Sequence, residues 1–560
     1  MIPAAPRGAR TRGMVGWEPV AAVLVGLLVF LSVRGANITR TGNVAWLMEG
    51  DPVQHWLGWQ FFRQSPFWQW PLGANPSNGL DIGSSIVFSD SIPLMALLFK
   101  PFSAWLPPEF QYFGIWLGLC FCLQALLAWR LLCLLGVDRR VAVLGSAFFA
   151  MAPSLLFRML HGHYALVAHW MPLAGLCLYF MPRYRRLAWP ALLVVAALVH
   201  AYLLVMVWAI WMADLVQRRW SGQVRTLPVL GDVVLGHALV LAAMAAAGYF
   251  MLGGSSVANW GYGVYRFNLL SLVDPDQLWS QTLRDRPSGE GDYEGFAFLG
   301  LGVLLLAIVV AADSLRMGRP RWRPGLLPLV VVLLGLTVFA VSSSVAFGAH
   351  ELLRYELPKA ADTLTGAFRA SGRLAWPAYY AVMLFICATA LTRYPRRVAA
   401  VLCVLLLLVQ AFDAENGRRA LRQRMDLPTW SSPLRSPAWE DFGRHYRQVL
   451  LVEPRNVAPH WRELGRFAVD HGMAINTAYL ARTNADTEAA YAARMREVVE
   501  RNAYDPQALY VFESDALWQQ ALAQRRETDV AGVVDGIRVL APGLRNCSDC
   551  TAGTAISATP

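Results

Sequence analysis

The hydrophobic residues of this chain lie in long uninterrupted runs, separated by short polar connectors, and rarely alternate with polar residues. Such runs predict membrane-spanning helices, because a helix that crosses the hydrocarbon core needs about 20 mainly apolar residues. The predicted spans lie near residues 17–34, 112–135, 140–157, 164–181, 228–250, 296–313, 326–344, 376–392 and 398–412. The pattern indicates a polytopic membrane protein.

Two further apolar stretches do not fit a single crossing. Residues 187–216 are too long for one helix and carry basic residues at both ends, so we predict a hairpin of two short helices with His200 at its tip. This hairpin brings the predicted number of spans to eleven. Residues 86–106 are also apolar, but a crossing there would place Arg139 and Arg140 outside. We predict that this segment lies in the outer membrane interface.

Composition and charge agree with this class of protein. Of 560 residues, 56% are hydrophobic and 16% are charged, whereas soluble proteins carry about 25% charged residues. The net charge of +11 comes mainly from arginines in short connectors, and such connectors stay in the cytoplasm. The clusters are scattered and lack interleaved aromatics, which excludes a nucleic-acid partner. We therefore predict an integral membrane protein with its N-terminus in the cytoplasm.

The chain divides into two predicted domains. Residues 1–412 form the transmembrane domain, with long exterior loops at 35–85, 252–295 and 345–375. Residues 413–560 are more polar and mix helical stretches with short strand-like runs, which predicts a soluble periplasmic domain of α/β or α+β type. Near the end, Cys547 and Cys550 are spaced for a short disulfide, an idle pair, or a redox or metal site.

Five segments carry a family resemblance. They are 50–56 (GDPVQHW), 71–76 (PLGANP), 85–91 (SIVFSDS), 291–296 (GDYEGF) and 368–373 (FRASGR). These strings look like an uncharacterised bacterial family of polytopic membrane proteins. The order of a first helix, a long loop with an early acid and an interfacial apolar segment resembles the GT-C superfamily of glycosyltransferases. The resemblance covers residues 15–412 and implies an α-helical, GT-C-like membrane domain.

The resemblance also implies a location in the bacterial inner membrane and an activity in the cell envelope. GT-C enzymes take a sugar from a polyprenyl-phosphate carrier at the outer face of the membrane, so we expect a hexosyl- or pentosyltransferase. Its partners would be membrane lipid, the lipid-linked sugar donor, and a glycan, lipid or protein acceptor. Metal dependence varies in the superfamily, which leaves a divalent ion (Mg²⁺ or Mn²⁺) between Asp51 and Asp90 as an open possibility.

Two other functional classes compete with this interpretation. One is a lipid-linked saccharide transporter or flippase, and the other is a non-catalytic envelope assembly protein. Transporters carry ionisable residues near the middle of the membrane, whereas the unusual polar residues here lie at its predicted outer edge. An assembly role would leave the first-loop acid and the exterior arginines unexplained.

Sugar transfer needs a carboxylate that orients or deprotonates the acceptor, and Asp51 matches the first-loop acid of the superfamily. The alternative for Asp51 is an ordinary Gly-Asp-Pro turn. Gln54 and His55 lie one helical turn further on and are predicted to line the same pocket. Asp90 opens the interfacial segment, where it either orients sugar hydroxyls or caps a helix.

Histidines and arginines near the predicted outer edge are candidates for binding phosphate. His161 and His163 follow a predicted span directly after Arg158, and His200 is predicted to face the same cavity. Arg369 and Arg373 are spaced to share one helix face, so they could clamp a phosphate together. The alternatives are satisfied structural histidines, and arginines that extend to the interface.

The loop at 252–295 supplies the remaining candidates. Tyr262, Asp292 and Glu294 combine an aromatic face with carboxylates, which suits a sugar ring with its hydroxyl groups. An aromatic belt at the membrane interface is the alternative for the tyrosine. Arg266 does not fit such a belt, and we predict that it binds the carrier phosphate.

Overall fold

A computed structural model of the protein describes residues 16–35, 37–252, 261–317, 325–427 and 429–544, and this part is mainly helical. The first ten helices are α1 Glu18–Val33, α2 Pro52–Gln64, α3 Pro93–Phe99, α4 Phe113–Leu134, α5 Arg139–Ala150, α6 Pro153–Leu160, α7 Trp170–Phe180, α8 Ala188–Ala197, α9 Ala201–Trp220 and α10 Thr226–Ala247. They are followed by α11 Leu301–Met317, α12 Leu327–Val341, α13 Asp362–Ala367, α14 Trp376–Arg393, α15 Arg396–Asp413 and α16 Glu415–Met425. Cys547 and Cys550 lie outside the described residues.

The number of helices long and apolar enough to cross a membrane is smaller than predicted. Within the described residues five such helices occur, or six if the bent pair α15–α16 forms one span. The five are Phe113–Leu134, Arg139–Leu160, Ala201–Trp220, Thr226–Ala247 and Ser371–Arg393. Several other predicted spans correspond to shorter apolar helices, such as α8 with 10 residues and α12 with 15. Eleven spans are therefore not confirmed, because apolar runs do not reveal where a helix ends.

The two irregular apolar stretches have distinct structures. Residues 86–106 contain only the short helix α3 and a following 3₁₀ turn, which together are too short to cross a bilayer. The stretch 187–216 does form two packed helices that meet at His200, whose ring caps the start of α9. The second of these helices is not short as predicted, because α9 runs for 20 residues to Trp220.

The C-terminal region mixes strands and helices, as the sequence predicts. Its helices are α17 Ala438–His445, α18 Trp461–Asp470, α19 Ala485–Glu500 and α20 Asp515–Ala523. A separate hairpin in the preceding region consists of β1 Ser344–Phe347 and β2 His350–Arg354. The strands of the C-terminal sheet are β3 Gln448–Leu451, β4 Ala474–Ile475, β5 Ala508–Phe512, β6 Val530–Val534 and β7 Ile537–Ala541, in the order β4-β3-β5-β7-β6. The first three strands in this order are parallel, and β7 and β6 pair antiparallel.

The two faces of this sheet bury different partners. Side chains alternate along β3, so Val449 and Leu451 lie on one face and Leu450 on the other. The first face packs with α18 and joins the same apolar core as the membrane helices. The second face packs with Tyr491 and Met495 of α19 in a separate core. The bundle and the C-terminal domain are therefore joined by a continuous hydrophobic interior.

Several loops and the C-terminal domain meet at one end of the helical bundle, which we call the loop side. Helix α2 packs against α18 there, and the 3₁₀ turn Asp292–Gly295 packs against the 3₁₀ turn Ser371–Ala375. The most unusual polar residues of the sequence come together at this end.

Candidate active site

Asp51 lies directly before α2, on a turn that the sequence makes possible. Gly50 has a left-handed φ of 64°, and Pro52 occupies the start of the helix, where a missing N–H costs nothing. Gly162 packs against this turn so closely that a Cβ would lie 2.5 Å from the ring of Pro52. The absence of a side chain at Gly162 therefore lets the loop after α6 bring His163 beside Asp51.

The Asp51 carboxylate accepts hydrogen bonds on both oxygens. Tyr479 of the C-terminal domain donates its hydroxyl to Oδ1 at 2.9 Å. The His163 Nε2 atom lies 3.3 Å from Oδ2. The side chain of Asp51 remains 33% exposed, so it is held in place and still open to a ligand.

Arg158 determines which nitrogen of His163 carries the proton. Its Nη1 lies 3.0 Å from His163 Nδ1, and a guanidinium only donates hydrogen bonds. Nδ1 must therefore be the accepting nitrogen, which leaves the proton on Nε2, where it points to Asp51. Burial lowers the pKa of His163, in spite of its hydrogen bond to Asp51. The ring is thus a neutral donor.

Beneath His163 lies a buried network of charges. Glu294 accepts from Arg158 Nη1 at 2.6 Å and from Arg373 Nη2 at 2.6 Å. Arg158 also donates to the carbonyls of Tyr293 and Glu294, at 3.0 Å and 2.7 Å. Burial raises the pKa of Glu294, but the two arginines outweigh it and hold this pKa well below its usual range. One carboxylate shared by two guanidinium groups leaves this network with a positive balance.

The same environment keeps Asp51 ionised. Partial burial raises the pKa of Asp51, but the hydrogen bonds from His163 and Tyr479 and the electrostatic effects of the His163 and His55 rings together lower it to about 2. Burial also disfavours the charged form of the neighbouring His161, and it lowers the pKa of this ring to about 4. The site therefore presents an ionised carboxylate beside the neutral rings of His161 and His163.

Asp90 and His200 form a second pair nearby. Asp90 Oδ1 lies 3.9 Å from His200 Nε2. Asp90 has a left-handed φ of 50° and does not cap α3, whose N-cap is Ile92. Burial raises the pKa of Asp90 against the charges of His55 and Arg373, and burial lowers the pKa of His200 well below its usual value. The pair faces the same charged region as Asp51.

The other two residues predicted near Asp51 are buried in the scaffold. His55 lies between two loops, with Nδ1 3.1 Å from the Ser89 carbonyl and Nε2 2.9 Å from the Gly162 carbonyl. Gln54 is buried and lines a narrow cleft against Trp461. His55 therefore connects the two loops that carry Asp90 and His163.

The candidates from the loop at 252–295 split into two groups. Glu294 belongs to the charged network, whereas Arg266 and Asp292 pair with each other at 2.8 Å. Asp292 also accepts from Asn268, and Tyr262 donates to the carbonyl of Phe339. These contacts order the loop that carries Glu294 and do not reach Asp51.

His161 and Arg369 border the network. The ring of His161 stacks on Phe157 with centroids 4.0 Å apart and does not contact Asp51. In the described part of the chain the Arg369 guanidinium pairs with no carboxylate. Arg369 and Arg373 lie close enough to Arg482 to lower its pKa, after the larger effect of burial. Arg482 itself donates to the carbonyls of Gly366 and Ala367 at 3.3 Å.

Two residues of this site, Tyr479 and Arg482, were not predicted as functional, whereas Arg158 was predicted only together with His161 and His163 as a possible phosphate ligand. A lone arginine within an apolar helix, next to two histidines, is a usable signal for Arg158. The two residues of the C-terminal domain carry no such signal, because nothing in their local sequence points to the first loop.

The proposed metal ligands do not gather into a metal site. Asp51 faces His163 and Tyr479, while Asp90 faces His200. Among the residues that the structure describes, no three His, Cys, Asp or Glu side chains are placed to hold a metal ion. The arrangement supports hydrogen bonding and electrostatic stabilisation by the side chains themselves.

Comparison with known proteins identifies a family. The family model described as "Domain of unknown function (DUF6311)" matches residues 23–415, and the model "DUF6311 C-terminal domain" matches residues 438–542. The chain belongs to this family. No curated protein sequence matches it.

Two solved structures are similar to the chain. One is the oligosaccharyltransferase AglB from Archaeoglobus fulgidus with an inhibitory peptide and a dolichol-phosphate, at 11% identity and a TM-score of 0.36, over 89% of this chain and 69% of that one. The other is an Archaeoglobus fulgidus oligosaccharyltransferase tethered to an acceptor peptide, at 12% identity and a TM-score of 0.37, over 92% of this chain and 72% of that one.

Proposed function

We propose that this DUF6311 protein is a GT-C-type membrane glycosyltransferase that moves a sugar from a polyprenyl-phosphate carrier to an acceptor hydroxyl. The observation that carries the proposal is the state of Asp51, an ionised and partly exposed carboxylate held between His163 and Tyr479. It lies beside a buried network with an excess of arginine. A proton acceptor next to stabilised positive charge is what glycosyl transfer from a phosphate requires.

The proposed reaction is a displacement at the anomeric carbon. The acceptor hydroxyl donates its hydrogen bond to Asp51, and its oxygen forms the new glycosidic bond. The bond between the anomeric carbon and the phosphate oxygen breaks, and its electron pair leaves with the carrier phosphate. A carboxylate with a pKa of about 2 is a weak base, so Asp51 orients the hydroxyl first and takes its proton late, as the phosphate departs.

The donor phosphate is proposed to bind near Arg369 and Arg482. Arg373 is already paired with Glu294, whereas Arg369 pairs with no carboxylate among the described residues. Guanidinium groups bind phosphate through two parallel hydrogen bonds. The surrounding apolar helices would accommodate the hydrocarbon tail of the carrier.

The donor assignment is tested by Arg369→Ala. Loss of a charge-assisted hydrogen bond of about 1.5–3 kcal/mol should weaken the use of the lipid-linked donor by about 10- to 100-fold. Arg354→Ala is the matched control, because Arg354 lies in the same loop and is 72% exposed. Equal abundance of both variants in the membrane, with equal product, would rule out the donor role of Arg369.

The transfer itself is tested by comparing wild type, a deletion and Asp51→Asn by mass spectrometry of envelope glycans, lipids and glycoproteins. A hexose- or pentose-sized mass should be absent from the deletion and reduced about 10²- to 10⁴-fold in Asp51→Asn at matched protein level. Asp81→Asn is the control, since Asp81 is exposed in the same loop and pairs with Arg494. Product retained by Asp51→Asn but lost in the deletion would favour transport or assembly instead.

Orientation and metal dependence require separate measurements. Reporter fusions after Arg186 and after residue 412 should report the cytoplasm and the exterior respectively, as the distribution of basic connectors suggests. Metal dependence is measured by transfer in membrane vesicles before and after chelation of divalent ions. An activity restored by added Mg²⁺ or Mn²⁺ would assign Asp51 and Asp90 to a metal.

A further inference from the structure

An open cavity of about 620 Å³ separates the turn at Asp51 from the C-terminal domain. One wall is formed by Gly50, Asp51 and Val53, and the opposite wall by residues 455, 457–463 and 479. Its volume lies within the range of about 300–1,000 Å³ that is typical of small-molecule sites. The exposed part of the proposed catalytic carboxylate therefore shares a cavity with the C-terminal domain.

The topology of the sheet explains why a cavity forms at this point. Strands β4 and β5 flank β3 on opposite sides and both run parallel to it. The segment leaving β3 leads to α18 on one face, and the segment leaving β4 leads to α19 on the other. Segments that diverge in this way open a crevice at the carboxyl ends of the strands, where ligands of parallel sheets bind.

The two segments that leave these strands supply the lining. Val457 and His460 follow β3 and have left-handed φ values of 57° and 58°. Such values are unusual for residues other than glycine, and for a β-branched residue they are a true outlier. Strained backbone of this kind concentrates at ligand sites.

Aromatic rings form one part of the wall. Trp461 and Tyr479 meet edge to face, with ring centroids 5.4 Å apart and planes at 81°. Tyr479 also donates its hydroxyl to Asp51. The same side chain thus lines the cavity and holds the proposed catalytic group.

The two arginines of the C-terminal wall are each paired with a carboxylate, and Asp51 on the opposite wall adds a negative charge. Arg455 pairs with Glu513 at 2.6 Å, and Arg462 pairs with Glu463 at 2.6 Å. The wall therefore offers hydrogen-bond donors and acceptors side by side, without the unpaired positive charge found near Arg369. Such a wall favours a neutral ligand rich in hydroxyl groups over an anionic one.

We infer that this cavity binds a carbohydrate, and that the C-terminal domain presents its hydroxyl group to Asp51. The inference rests on the proposed function and names the acceptor class. A sugar ring stacks its apolar face on Trp461, its hydroxyl groups bond to the paired side chains of Arg455 and Arg462, and one hydroxyl reaches Asp51. Donor and acceptor then approach Asp51 from opposite sides, one from the arginines at the bundle and the other from the C-terminal domain.

The test measures binding independently of catalysis. The full chain in lipid nanodiscs is presented to an array of neutral oligosaccharides, anionic oligosaccharides and serine- or threonine-containing peptides. Neutral oligosaccharides should bind, and Trp461→Ala should weaken this binding about 10-fold or more, since stacking on one aromatic ring contributes about 1–3 kcal/mol for comparable flat ligands. Trp461→Phe should recover part of the affinity. Trp105→Ala is the control, because Trp105 is 79% exposed and does not line the cavity.

The outcomes separate this inference from the proposed function. Oligosaccharide binding that is unchanged in folded Trp461→Ala, or an array signal from peptides alone, would overturn the carbohydrate subsite even if Asp51→Asn abolishes the envelope product. If oligosaccharide binding depends on Trp461 while Asp51→Asn still forms product, the carbohydrate subsite is supported and the catalytic role of Asp51 is ruled out. We expect Asp51→Asn to bind the same oligosaccharides somewhat more weakly than wild type, because asparagine keeps one oxygen that accepts the sugar hydroxyl and both aromatic rings remain.

Discussion

Two buried charge networks among the described residues lie at opposite ends of the helical bundle. At the loop side Glu294 bridges Arg158 and Arg373. At the far end of α9, Asp214 pairs with Arg218 at 2.9 Å, and both side chains are almost completely buried. In burial and ion pairing the two networks look alike.

They differ in where their hydrogen bonds lead. Asp214 also accepts from Trp189, and Arg218 donates to the carbonyls of Tyr179 and Met181, so every bond of this network ends within the scaffold. The loop-side network continues through His163 to Asp51, which opens on a cavity. A buried ion pair alone is thus consistent with a purely structural role, and continuity with an accessible group distinguishes a candidate site.

The largest expected effect comes from removing the carboxylate of each network, since this change distinguishes a loss of stability from a loss of product formation. Glu294→Gln leaves two buried guanidinium groups without a carboxylate and should destabilise the protein by about 3–5 kcal/mol. Asp214→Asn should lower the thermal midpoint of unfolding as well, because Arg218 loses its partner. At a temperature where both variants are folded, product per folded molecule should fall only for Glu294→Gln. Equal loss of product in both would abolish the functional distinction between the networks.

His163→Phe should affect activity more than stability. The substitution keeps the ring but removes the donor to Asp51, and we expect about 10- to 100-fold less product. The pKa of Asp51 should also rise from about 2 toward 3.8. Because the carboxylate acts only when ionised, activity in membrane vesicles should then disappear at a higher pH on acidification.

His161→Phe is the matched control for this variant. It preserves the stacking on Phe157 and leaves Asp51 untouched, so both the product level and the acid limit of activity should remain close to those of wild type. An effect as large as that of His163→Phe would place the ring of His161 in substrate binding, as the sequence suggests.

Tyr479→Phe should have a smaller effect. It removes one of the two hydrogen bonds to Asp51 and leaves the aromatic wall intact, so product formation should decrease about 3- to 10-fold. Oligosaccharide binding should be preserved. A loss of binding equal to that of Trp461→Ala would show that the tyrosine hydroxyl contacts the ligand directly.

The smallest expected effect concerns pH, because the loop-side histidines should not change the rate of transfer near pH 6.5. Burial lowers the pKa of His161, His163 and His200 below the ordinary value of 6.5. The three rings therefore titrate below this value and are neutral above it. Near pH 6.5 the pH profile of transfer should be the same for wild type and His163→Phe, without an inflection caused by a histidine.

Sequence patterns predict the parts of this structure that depend on local order. Long apolar runs give α4, α10 and α14, and short strand-like apolar runs give β3 and β5. Helix ends within apolar runs were less predictable, because chain breaks such as the one before Pro153 interrupt a helix without changing its hydropathy.

The site was predicted only where its residues lie close together in sequence. An early acid and a pair of histidines mark Asp51 and His163, but their partners are remote. Arg158 and Glu294 are separated by 136 positions, and Tyr479 and Asp51 by 428. No periodicity connects residues over such distances, so the contribution of the C-terminal domain emerges only from the folded chain.

The continuous interior that joins the bundle to the C-terminal sheet has a consequence for biogenesis. Helix α2 packs against α18, yet nearly 400 residues of synthesis separate them. At ~5–20 residues per second, roughly 20–80 s pass between the synthesis of α2 and the synthesis of α18. The Asp51–Tyr479 hydrogen bond is among the last contacts to form, so a truncated or stalled chain would lack one of the two hydrogen bonds that hold Asp51.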